Sequence, residues 1–316
     1  ILDIGKKWVS APYNVDGWRL DVAADLGYSP EYNHEFWKKF RKSVKDANPQ
    51  AVILAEHYGD SYDWLSGGEW DTVMNYDAFM EPVTWFLTGM EKHSDQYRED
   101  MLGNADNFFG AMHHNMSRMG GQPVSISMNE LSNHDHSRFL TRTNHRVARL
   151  ANAGPEAAGE NIQMTWPGAP TIYYGDEAGV CGWTDPDNRR TYPWGREDKE
   201  LIDFHRDVIK MHKSCEVLMS GSYKQLLSEY NLISYARFNR DDAVIVIINN
   251  SPEERRTKVP VWEAGLPYNS DVEQIFVTYE NGYSTARLGY TLSGGWIDIG
   301  LRAKSAVVLK KLNNQI

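Results

Sequence analysis

A chain of 316 residues, 41 % of them hydrophobic, can bury a large core and build one large domain beside a smaller one. Its formal net charge of −10 excludes the basic footprint that nucleic acid or an anionic membrane surface demands, so neither is expected as a partner. No apolar run approaches the roughly 20 residues of a membrane span.

The two cysteines, Cys181 and Cys215, fit neither a disulfide framework nor a zinc site. Two buried thiols or one disulfide stay open. Eleven Trp and seventeen Tyr build cores, and their rings also suit the apolar C–H faces of sugars.

The chain opens with an amphipathic helix over 1–10, its apolar side formed by Leu2, Ile4, Trp8 and Val9. Strands are expected over 15–20, 51–55, 72–75, 125–128 and 171–174. Helices are expected between them, over 34–47, 81–89, 145–152 and 157–165. Asn48-Pro49 stops the first of these helices. Residues 94–124 are less regular and read as a helical excursion. This alternation predicts a parallel sheet wrapped by helices. After a helix over 199–213 the pattern turns strand-rich, over 232–238, 243–249, 257–261, 274–279, 295–299 and 305–310. Turn signals at Arg240-Asp241-Asp242, Asn249-Asn250-Ser251-Pro252, Asn281-Gly282 and Ser293-Gly294-Gly295 separate these strands, and predict an antiparallel β-sandwich. Two domains are expected, 1–213 and 214–316.

Three segments carry acids that end strand-like runs: Asp16-Gly17-Trp18-Arg19-Leu20-Asp21, Ile53-Leu54-Ala55-Glu56 and Ser132-Asn133-His134-Asp135. A carboxylate at the end of a buried strand is costly unless it is paired or used. On a strand, Arg19 and Asp21 point to one side, so the cation holds the acid ionised. That suits a nucleophile, and equally a structural ion pair. Glu56 among apolar neighbours suits a general acid; it also reads as a strand-end acid meeting solvent. His134 reads as a hydrogen-bond donor to a substrate hydroxyl, with Asp135 accepting from neighbours. No His/Cys/Asp set shows zinc spacing. His113-His114 reads as a surface pair, and His136 and Arg138 as solvated or salt-bridged bystanders.

Taken together, these motifs resemble the α-amylase family of glycoside hydrolases. Further matches are Asp71-Thr72-Val73-Met74-Asn75-Tyr76, the run from Pro167 to Glu177, and Asp185-Pro186-Asp187-Asn188-Arg189-Arg190 with Pro193-Trp194. The resemblance implies a (β/α)8 TIM barrel, of which strands four to eight lie in this chain, followed by an all-β C-terminal sandwich. It implies Asp21 as nucleophile, Glu56 as general acid/base and Asp135 as the transition-state stabiliser. Arg19 and His134 would line the same subsite, and Tyr76 belongs to a matching strand. Asp185 and Arg189 would hold the next sugar, or act as a loop staple. Ala24 and Asp25 stand where plain α-amylases carry Lys-His. The acid favours the neopullulanase, cyclomaltodextrinase, maltogenic amylase and amylopullulanase group. Ala55 replaces a frequent Gly, and His57 replaces an apolar or aromatic residue and is expected to shape the acceptor side.

The implied activity is retaining cleavage of α-glucosidic bonds in starch, pullulan or maltodextrins. A glucanotransferase and a non-catalytic carbohydrate-binding relative are the alternatives. The expected partner is an α-glucan or maltooligosaccharide. No cofactor is required, and the ligands of a structural calcium would lie outside this chain. The family's first three strands are not matched, so a second segment or chain is expected to supply the front of the barrel. Secretion is expected, although a cytoplasmic maltodextrin enzyme would have a similar composition.

Overall fold

Glycine at position 17 is dictated by the start of the first strand, where an added Cβ would stand 2.1 Å from the Val52 carbonyl oxygen. The computed structural model, which describes residues 1–94, 96–144, 159, 161–280 and 282–312, places five short parallel strands side by side there. β1 (Gly17–Leu20) pairs with β2 (Val52–Ala55), and β2 with β3 (Thr72–Val73). β4 (Met128–Glu130) pairs with β5 (Ala169–Thr171). A parallel bridge from Met74 to Met128 joins the two groups.

The helix Pro30–Ala47 returns the chain from β1 to β2. Its Ser29 cap accepts from the Tyr32 amide, and Pro30 presets the first turn. It therefore starts one turn before the apolar periodicity begins, and ends at Asn48 as the following proline requires. Trp37, Phe40 and Val44 on its buried face pack with Leu20, Ile53 and Ala55. The irregular stretch holds a long helix, Ala105–Met119, capped by Asn104. The expected helix over 145–152 lies outside the described residues; of the one expected over 157–165, residues 159 and 161–165 are described and helical.

Two of the parallel strands fall elsewhere than expected. Residues 121–125 form a short helix and Ile126 is exposed, so the fourth strand is Met128–Glu130 rather than 125–128. Its polar residues can be buried because they are bonded: Asn129 accepts from Asn75 (2.7 Å) and donates to the Pro167 carbonyl (2.9 Å). The fifth strand ends at Thr171, where 171–174 was expected. Pro170 is tolerated in it because, among the described residues, β5 pairs on one side only.

The C-terminal part is antiparallel throughout. β6 (Ser222–Glu229), β7 (Leu232–Phe238), β8 (Ala243–Asn249), β10 (Asp271–Tyr279), β11 (Gly282–Ser284), β12 (Leu288–Thr291) and β14 (Ser305–Lys311) form one seven-stranded sheet. Its order is β11-β10-β14-β8-β7-β6, with β12 also on β10. β9 (Arg255–Val259) and β13 (Ile297–Leu301) form a second sheet. β8 shows why the sheets stack. Val244, Val246 and Ile248 join Phe79, Phe108, Trp166 and Phe204 in a core shared with the helices. The alternate residues Ile245 and Ile247 join Val259, Ile297 and Ile299 in a core between the sheets. Cys181 and Cys215 are not joined to each other, which removes the disulfide alternative. Among the described residues no helix is long and apolar enough to cross a membrane.

Candidate active site

Three acids converge beyond the C-terminal ends of the parallel strands. Arg19, on the exposed face of β1, ion-pairs with Asp21 through Nη1 and with Glu56 through Nη2 (3.1 Å). The two acids differ sharply in environment: the Asp21 side chain is 76 % exposed and that of Glu56 is 7 % exposed. The Arg19 hydrogen bond holds the Asp21 carboxyl below the usual carboxylate range, with Glu56 and His134 assisting.

The backbone between them is over-determined. Val22 adopts φ 42°, a left-handed conformation that costs a β-branched residue roughly 1–3 kcal/mol. Its N–H donates to Glu56 Oε2 (3.0 Å), and the Glu56 N–H donates to the Leu20 carbonyl (2.8 Å). Behind the turn, Asn33 Nδ2 donates to the carbonyls of Ala23, Ala24 and Leu26, and Trp37 Nε1 to that of Ala23 (2.8 Å). The helix after β1 thereby clamps the loop that carries Asp21.

The third acid rides on a turn built around Asn133. Asn133 Oδ1 accepts from the amides of Asp135 (2.9 Å) and His136 (3.0 Å) and from His136 Nδ1 (2.8 Å). His134 Nε2 lies 3.3 Å from Asp135 Oδ2, and Arg189 Nη2 lies 3.5 Å from Asp135 Oδ1. Arg189 Nε also reaches Asp185 (2.7 Å) and the His134 carbonyl (3.1 Å). Asp185 and Arg189 therefore form a staple that ties their loop to the Asp135 turn.

Tyr76 is buried, and its hydroxyl accepts from Asn133 Nδ2 at 3.2 Å. Burial, with the nearby Glu130 charge, raises its phenol far above the ordinary value. Tyr58, 42 % exposed, stacks on it at 4.4 Å between centroids. His57 turns the other way: its ring packs on Trp64 and Trp70, and Nε2 meets the Asp60 carbonyl (3.1 Å). It lines a cleft with Tyr76, Asp60 and Arg118 rather than contacting Asp21, Glu56 or Asp135.

His136 differs from expectation. It is fully buried and neither solvated nor salt-bridged, since its nitrogens meet Asn133 and His93 (3.2 Å) and burial holds it neutral. Arg138 is salt-bridged to Asp176 (2.8 Å), but buried. His113 and His114 are exposed on their helix. Sequence reasoning missed Tyr58 and Glu130. Tyr58 was signalled only by its place two residues past Glu56, and no motif in the sequence marked Glu130. Among the described residues no three His, Cys, Asp or Glu side chains gather as a cation site.

The family model "Alpha amylase, catalytic domain" matches residues 1–254. The chain belongs to the alpha-amylase family. A cyclomaltodextrinase of Thermoanaerobacter pseudethanolicus is 32 % identical over 260 residues, covering 80 % of this chain and 40 % of that protein. Neopullulanase 2 of Thermoactinomyces vulgaris is 32 % identical over 271 residues, covering 84 % and 42 %. The crystal structure of a Nostoc punctiforme debranching enzyme, soaked with acarbose, superposes with a TM-score of 0.78 at 26 % identity, covering 98 % of this chain and 59 % of that one. The chain thus spans about two fifths of the length of these curated relatives. A family catalytic domain followed by an antiparallel sheet is the fold these matches support.

Proposed function

We propose that this chain carries the catalytic carboxylates of a retaining α-glucan hydrolase. The observation that carries the reading is the Arg19 fork: one guanidinium holds an exposed, ionised Asp21 and a buried Glu56 side by side. Two carboxyl groups with different environments suit the nucleophile and acid/base of a retaining glycosidase. Glu56 protonates the glycosidic oxygen as Asp21 attacks the anomeric carbon, and the C–O bond to the leaving sugar breaks. Water then attacks the glycosyl ester, gives its proton to Glu56 and frees Asp21. Asp135 and His134 hold hydroxyls of the glucose at the cleavage point. The Asp185–Arg189 staple presents its loop to the next sugar, and Tyr58 over Tyr76 offers a face for stacking.

The family's cyclodextrin- and pullulan-acting members support linear or cyclic α-1,4-glucans, with some α-1,6 bonds, as substrates. The five parallel strands would be strands four to eight of a (β/α)8 barrel spanning 1–213, followed by a sandwich over 214–316. A preceding segment or another chain would pair with β1 and β5 to close the barrel, because an open parallel edge is unstable. The chemistry calls for no organic or redox cofactor, and a structural calcium would find its ligands in that closing part.

Release of reducing sugar from pullulan tests the reading, measured for the purified chain alone and with the barrel-closing segment added, beside Asp21→Asn. Loss of several orders of magnitude in turnover in the variant, with its melting temperature kept, is the expected result. Wild-type rates in Asp21→Asn would overturn it. Chromatography of the products separates hydrolysis from glucan transfer.

A further inference from the structure

We propose that Glu130 is a positioning residue of this site, fixing through Asn133 the turn that carries His134 and Asp135. The inference rests on the reading of Asp21, Glu56 and Asp135 given above. Glu130 ends β4 and is 1 % exposed, yet it has no ion-pair partner within salt-bridge distance among the described residues. Its Oε1 accepts from Asn133 Nδ2 at 2.7 Å. That bond decides which way the Asn133 amide faces. With Nδ2 turned to Glu130 and to the Tyr76 hydroxyl, Oδ1 is left to accept three N–H groups: two from the backbone of the turn and one from His136 Nδ1. A flipped amide would set N–H groups against all three donors. The orientation propagates further. His136 carries its proton on Nδ1, so its Nε2 accepts from His93 Nε2 at 3.2 Å. One carboxyl at the base thus orders a chain of polar groups that ends beside Asp135.

The charged and titratable groups facing Glu130 are Arg19, Tyr58, Tyr76, Asp135 and Asp176. Burial pushes its carboxyl up to about 8, with Asp135 and Asp176 adding to the rise and Asn133 and Arg19 opposing it. At neutral pH the group is therefore a protonated acid, and a glutamine can stand in for it.

The test compares Glu130→Leu and Glu130→Gln in the active protein that carries these residues, with Asp21→Asn as control. Leucine removes the acceptor that Glu130 offers to Asn133 Nδ2, and a resulting displacement of Asp135 by an ångström should lower kcat about 100-fold with KM changed far less. Glutamine keeps an acceptor for Asn133 and should restore kcat to within about fivefold of wild type. Wild-type kcat in Glu130→Leu, or Glu130→Gln as impaired as the leucine variant, would overturn the proposal. Should Glu130→Leu lose cooperative melting, Glu130→Gln decides alone, and a kcat lowered about 100-fold in it overturns the proposal. Undiminished activity in Asp21→Asn would instead overturn the reading of the site itself.

Discussion

In β8 all seven side chains are buried, and the six apolar ones from Ala243 to Ile248 alternate between two apolar cores; in β4 the buried residues are Asn129 and Glu130, and β1 turns Arg19 outward. The first arrangement is driven by apolar area, which is non-directional and forgiving of exact partners. The second buries or exposes polar groups that are affordable only with specific partners, so each must be met by a particular residue set against it. The C-terminal sheet is thus where mutations should be felt as stability. The strand ends are where they should be felt as rate.

The sharpest test of that division is Glu56→Gln. Turnover on unactivated glucan should fall by about 10³–10⁴-fold, and far less on aryl glycosides whose leaving group needs no proton. Equal losses on both substrates would break the assignment. Arg19→Leu should follow, with kcat/KM down about 100-fold. The sign of its pH effect is fixed. Arg19 holds Asp21 ionised below the usual range, so removing it raises the Asp21 pKa and moves the acid limb of the rate profile to higher pH. An unmoved acid limb would separate Arg19 from the nucleophile.

On the other side of the comparison, Ile247→Ala should cost about 3–4 kcal/mol by cavity formation, read from denaturant unfolding, with kcat per folded molecule unchanged. The smallest effect is expected at Asp71, which bridges the two regimes as a polar group with a structural task. It accepts from Lys45 (2.7 Å), the Ile53 amide (2.9 Å) and Arg41 (2.7 Å). Burial opposes its charge, but these donors prevail and hold its pKa below the usual value. Asp71→Asn should cost about 2 kcal/mol at neutral pH and leave kcat intact. Because the folded pKa is depressed, that difference is present above the unfolded carboxylate pKa and is lost as pH falls through the folded one. A pH-independent difference would assign the effect to packing.

Legibility in the sequence followed the same division. Strands β7 and β8 were read to the residue because their apolar runs are continuous. β6, β11 and β12 were not expected, since edge strands with one exposed face carry too few apolar residues to stand out. β4 was misplaced because its buried residues are polar, and their burial depends on Asn75 and Pro167, 54 and 38 positions away.

Sequence by itself determined the three acids, the Arg19–Asp21 pair and the change from alternating helices and strands to an antiparallel sheet. Those features lie in local spacing: the two-residue period of a strand sets Arg19 beside Asp21 without knowledge of the fold. Tertiary structure decided the rest. It alone brought Glu56 to the second arm of Arg19, turned His57 away into the tryptophans, buried His136, and set Glu130 and Tyr76 on the amide of Asn133. Glu56 meets Arg19 and Tyr76 meets Asn133 across tens of positions, and a hydrogen bond records in the sequence only the types of its partners, not their meeting.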